Sequence, residues 1–110
     1  MRLIAAVGFA TAFAFAPLAT ADDVPVFEIV IKDHKFAPST LEVPAKTKVK
    51  LIVKNQDPTP EEFESYELNR EKVIAGNSQA TIFIGPLDPG TYPFFGEFNP
   101  KTAQGKIIAK

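Results

Sequence analysis

The sequence predicts an all-β fold, an antiparallel sandwich or barrel of seven or eight short strands. Short runs alternate apolar and polar residues, as in Phe27, Ile29 and Ile31 and again in Val49, Leu51 and Val53. Turn clusters rich in Pro and Gly separate these runs at a spacing of about 8–12 residues, the rhythm of sandwiches and barrels. The chain holds 10 prolines in 110 residues, and all but Pro17 lie beyond residue 21. That density disfavours a helical bundle, because an interior proline breaks a helix.

Taken in order, Val26 to Lys32 is a strand, broken by Phe36-Ala37-Pro38. Leu41 to Val43 is a short strand ended by Pro44. Thr47 to Lys54 alternates most cleanly, with Val49, Leu51 and Val53 inward and Lys48, Lys50 and Lys54 outward. Asn55 to Pro60 is a loop. Glu61 to Leu68 is ambiguous: Glu and Leu favour helix, while Phe63, Tyr66 and Leu68 fit neither period. Val73 to Ala75 and Ala80 to Ile84 are short strands around the turn Gly76-Asn77-Ser78. Gly85 to Gly90 is a turn cluster. Thr91 to Phe95 is an aromatic strand, Gly96 to Gln104 a polar loop, and Lys106 to Ala109 a last strand.

Residues 1–21 read as an export signal. Arg2 is followed by the apolar run Leu3 to Ala16, and Ala19-Thr20-Ala21 fits a small-residue cleavage site. A membrane anchor is the alternative reading, but the run is shorter than the roughly 20 residues a span needs. The expected mature domain is residues 22–110, with no membrane span. Loss of Arg2 takes the formal net charge from −1 to −2. That balance removes the electrostatic case for nucleic-acid binding. With no Cys and one His, the chain has no disulfide, no thiolate metal site, no Cys nucleophile and no two-His site.

Several segments together resemble the cupredoxin superfamily, a Greek-key β-sandwich that often holds copper. They are Ile31 to Pro38 with Leu41 to Lys46, where Lys46 stands in place of the usual glycine; Val49 to Asn55; Thr91 to Gly96; and Gly105 to Ile108. A blue-copper centre uses two His, a Cys and a weak axial Met. By this resemblance the Cys position falls on Gly96, the second His on Asn99, the Met on Ala103, and the first His near Glu62 or Glu64. No ligand of a blue site survives.

A narrower likeness lies in Asp57 to Ser65, Glu71 to Ile74 and Phe95 to Phe98. These resemble the EfeO-type cupredoxin-like proteins of bacterial iron-uptake systems, which are periplasmic. In that group the E-F-E segment supplies carboxylate ligands, and a His commonly follows G-E-F where this chain has Asn99. The resemblance implies a periplasmic protein that binds copper(II) or iron. It also implies, as partner, a membrane iron permease complex or a periplasmic iron-binding protein, and it points to a ferroxidase-like role.

Read as residues, Glu61, Glu62, Glu64 and Glu67 crowd one short segment. On a strand Glu62 and Glu64 point to the same side, and the expected sandwich would bring Glu97 near them. Carboxylates suit hard or borderline cations, with copper(II), iron or manganese favoured over copper(I). The expected metal ligands are Glu62, Glu64 and Glu97, with His34 as an auxiliary. The competing reading is a solvated acidic edge, with His34 an exposed turn residue between Asp33 and Lys35. Asn99 and Gln104 suit hydrogen bonding within the loop. Phe63, Phe94, Phe95 and Phe98 suit core packing, or a docking patch of a metal-free interaction module. No nucleophile–base pair for a hydrolase is present.

Overall fold

The computed structural model describes residues 23–110. The leader read from residues 1–21 lies outside the described residues. Nine strands are described: β1 Val26–Lys32, β2 Lys35–Ala37, β3 Thr40–Val43, β4 Val49–Asn55, β5 Glu61–Ser65, β6 Arg70–Ile74, β7 Ser78–Ile84, β8 Gly90–Gly96 and β9 Gln104–Ala109. They form two sheets, one ordered β3-β9-β8-β5-β6 and the other β2-β1-β4-β7. The fold is the expected all-β sandwich. Among the described residues no helix is long and apolar enough to cross a membrane.

Three details depart from the sequence reading. Phe36-Ala37 does not simply break the first strand. Lys35–Ala37 folds back on Val30–Lys32 as a ninth strand. The turn between them is Asp33-His34, both at positive φ (53° and 59°), the conformation a tight two-residue hairpin requires. The buried Asp57 carboxylate holds that turn, accepting from the N–H of Asp33 (2.8 Å) and of His34 (2.9 Å).

The sandwich is also not purely antiparallel, because β1 runs parallel to β4, and β3 parallel to β9. The chain crosses to the other sheet at β3 before β4 returns beside β1, so the two neighbours enter in the same direction. Finally, the ambiguous segment is a strand over Glu61–Ser65, followed by a turn. It pairs with β6 on one side and β8 on the other, and Phe63 is fully buried. Pairing and burial override the helix propensity of its glutamates.

The core joins Ile29, Ile31, Leu51 and Val53 of one sheet to Phe63, Phe94 and Ile107 of the other. The Phe94 ring stacks on Phe63 (4.8 Å between centroids) and meets the edge of Phe36 at 4.9 Å. The four-phenylalanine group expected from the sequence is therefore split. Phe63 and Phe94 are core, Phe95 packs with the exposed Tyr66 at 5.5 Å, and Phe98 is 49% exposed. Lys46, in the usual glycine position, has φ 60°. Glycine takes that left-handed conformation at no steric cost.

Candidate metal centre

Strand β5 carries acids on both of its faces. Period-two alternation sends Glu61, Phe63 and Ser65 toward the sandwich interior, and Glu62 and Glu64 to the opposite face. The two sets meet different surroundings.

Inside, Glu61 is 1% exposed. Its Oε1 accepts from the N–H of Phe98 (2.8 Å) and of Glu62 (2.9 Å), and its Oε2 accepts from the Asn99 amide at 2.7 Å. A buried carboxylate with three donors is satisfied. Asn99 in turn uses its carbonyl to accept the Ala103 N–H at 2.8 Å. Glu61 thus ties the loop between β8 and β9 to β5.

Outside, Glu62, Glu64 and Glu97 each bring a carboxylate oxygen within 4.8 Å of the other two. The Glu97 N–H donates to the Glu62 carbonyl at 3.2 Å, which sets the start of the loop against β5. Glu62 is 5% exposed. Glu64 Oε1 is buried and has no hydrogen-bond partner. Contact with Glu71, then burial, pushes the Glu62 carboxyl up to about 7. Contact with Glu97, then loss of water, does the same for Glu64, also to about 7. Among the described residues no Lys, Arg or His forms an ion pair with these carboxylates. The arrangement is a compact set of oxygen donors with no cationic partner among the described residues, although Glu97 itself is exposed.

The structure brings together Glu62, Glu64 and Glu97. It does not bring in His34, whose Nδ1 lies 3.6 Å from Asp57 Oδ2 and whose ring borders a depression beside Asn99 and Pro100. Sequence reasoning placed the first blue-copper His near Glu62 or Glu64. The residue beside Gly96, Asn99 and Ala103 is instead Glu61, because the inward face of β5 begins one residue earlier. The approach of Glu71 to the Glu62 carboxyl was not foreseen from the sequence. Its signal is the hairpin register, which sets it directly opposite Glu64.

The interior position does not suit a blue-copper ion. Glu61, Gly96, Asn99 and Ala103 offer no thiolate, imidazole or thioether, so the donor set is wrong for a blue centre. The space is filled as well. A Cβ added at Gly96 would stand 2.7 Å from Ala103 Cβ and 2.7 Å from Glu61 Cδ. A blue-copper ion does not fit there.

Residues 3–109 match the family described as "Cupredoxin-like domain". The uncharacterized protein RP394 of Rickettsia prowazekii (strain Madrid E) is 49% identical over 92 residues, covering 84% of this chain and 74% of that protein. Auracyanin A, a blue copper protein of Chloroflexus aurantiacus, superposes with a TM-score of 0.69 at 15% identity, covering 80% of this chain and all of that one. Amicyanin from Paracoccus versutus gives 0.61 at 18% identity, over 91% of this chain and 96% of its own. The metal-binding domain of the Cu(I)-exporting P-type ATPase CopA of Streptococcus pneumoniae D39 gives 0.65 at 15% identity, over 77% of this chain and 84% of that one. At these identities the likeness is one of fold.

Proposed function

This chain belongs to the cupredoxin-like family, and from that premise we propose that it is an exported, periplasmic metal-binding protein whose ion sits outside the sandwich. Glu62, Glu64 and Glu97 are the ligands, and the ion is copper(II) or iron. The observation that carries this reading is the meeting of three carboxylate oxygens within 4.8 Å of one another, one of them from a side chain buried without a cationic partner. The EfeO-type likeness of the same segments adds the setting. The protein assists iron uptake by passing metal or electrons to a membrane permease complex or a periplasmic iron-binding protein.

Calorimetric titration of the mature protein with copper(II) and iron tests the site. Tight binding is expected, and its loss in the Glu62→Gln/Glu64→Gln double variant. Binding in neither protein, or equal binding in both, ends the reading. A second reading, a metal-free interaction module, is favoured by the sealed interior position and by Phe98, 49% exposed beside it. It predicts that Phe98→Ala abolishes capture of a periplasmic partner while the double variant retains it.

A further inference from the structure

We propose that the outer face of the β2-β1-β4-β7 sheet is a docking surface for an anionic phospholipid membrane. This face is separate from the metal-binding reading, whose carboxylates lie on the other sheet or in the loop that follows it. The alternation that buries Ile29, Ile31, Leu51 and Val53 sends Lys32 of β1, Lys35 of β2, and Lys50 and Lys54 of β4 outward. Lys48, also exposed, immediately precedes β4. Glu28 is the one acid in these four strands, and its Oε2 is taken by Lys54 Nζ at 3.1 Å. Among the described residues Lys32, Lys35, Lys48 and Lys50 form no ion pair. Charge is thus divided between the two sheets, although the whole chain has a formal net charge of only −1.

Lysines alone make a solvated face. A second observation points to a lipid surface, the apolar pair seated among them. Strand register sets Val26, Lys50 and Phe83 side by side in one row across β1, β4 and β7. Val26 is 52% exposed and Phe83 43%. Lys48 Nζ lies 4.8 Å from the centre of the Phe83 ring, and Arg70 Nε donates to the Phe83 carbonyl at 2.8 Å. An exposed ring collared by cations suits a bilayer interface, where the ring enters the headgroup layer and the ammonium groups meet phosphates. A soluble acidic partner would match the charge equally, and the path of the chain favours the membrane. The Lys50 N–H donates to the Pro25 carbonyl at 2.9 Å, so the chain enters the domain at this same row. The apolar run Leu3 to Ala16, read as an export signal that engages the bilayer, is joined to the domain there.

Co-sedimentation with sucrose-loaded vesicles tests the surface. The mature protein is used, so that the apolar leader cannot itself carry the binding. Binding is expected on phosphatidylcholine vesicles containing about 30 mol% phosphatidylglycerol, and none on phosphatidylcholine alone. Raising the salt from about 0.05 M to about 0.5 M should weaken it at least tenfold. Lys48→Gln/Lys50→Gln should weaken it about twentyfold, at about fivefold for each lysine. Phe83→Ser, which keeps every charge, should weaken it about tenfold. Lys101→Gln/Lys106→Gln removes the same charge away from this face and should change binding less than about twofold. Melting curves check that each variant is folded. Equal losses in the two lysine pairs overturn the face and leave only net charge. Full binding by folded Phe83→Ser overturns the seating of the ring. Absence of binding to the anionic vesicles, or equal binding to phosphatidylcholine, overturns the proposal, as does capture of an acidic protein in place of lipid.

Discussion

Glu61 and Glu62 are neighbours in the chain, both buried, and in opposite electrostatic situations. Glu61 faces two backbone N–H groups and the Asn99 amide, whereas the Glu62 carboxyl faces those of Glu71, Glu64 and Glu97. One residue of strand alternation separates a carboxylate that holds the fold together from one that strains it. Burial alone therefore says little about a carboxylate's role. What counts is whether its neighbours donate hydrogen bonds or repel it. The inner position offers none of the donors a blue-copper ion needs, and the outer one carries carboxylates without a cationic partner among the described residues.

The contrast can be broken most sharply at Glu61. Glu61→Ala leaves the Phe98 N–H and the Asn99 amide without their acceptor. It should lower the unfolding free energy by about 3 kcal/mol, as urea denaturation would measure. No loss would mean the loop is held by other contacts. Gly96→Ala should cost about 1–3 kcal/mol, because its Cβ would overlap Ala103 and Glu61. An undisturbed melting temperature would show that the inner position has room to spare.

The smallest effect carries the opposite sign. In chelator-treated protein at pH 8, Glu62→Gln should raise the melting temperature, because it removes a charge from a repelling set. A fall would refute the repulsion. The pH dependence follows from the same groups. Glu62 and Glu64 titrate in the folded protein near 7 against an ordinary value of 4.5. The folded state therefore holds protons that the unfolded state has released across that window. Their contribution to stability is fully present below about 4.5 and is lost as pH rises through about 7. Melting curves between those values should fall more steeply for the parent than for Glu62→Gln/Glu64→Gln. Metal binding should run the other way and tighten as pH rises, since the ligands bind deprotonated.

Much of this was legible in the residues. The alternation of Val49, Leu51 and Val53 appears as a strand with those three side chains buried. The absence of Cys by itself excludes a blue centre. The pairing of Glu62 with Glu64 on one face needed only the period of a strand, once β5 was known to be one. That last condition was not legible, because Glu-rich segments favour helix, and only pairing with β6 and β8 decides otherwise. His34 looked available as a ligand, but its turn is held by Asp57, 23 residues away.

The sequence by itself determined the sandwich and the donor chemistry, since two-residue periodicity, turn residues and the inventory of side chains are local properties. Only the tertiary structure decided which acids meet. The bond from the Phe98 N–H to Glu61 spans 37 residues, and the opposition of Glu64 and Glu71 depends on hairpin register. A one-residue slip in that register sends every side chain to the other face. The positions of Glu71 and Glu97 over Glu62 therefore follow from strand pairing and loop closure, which no local pattern encodes.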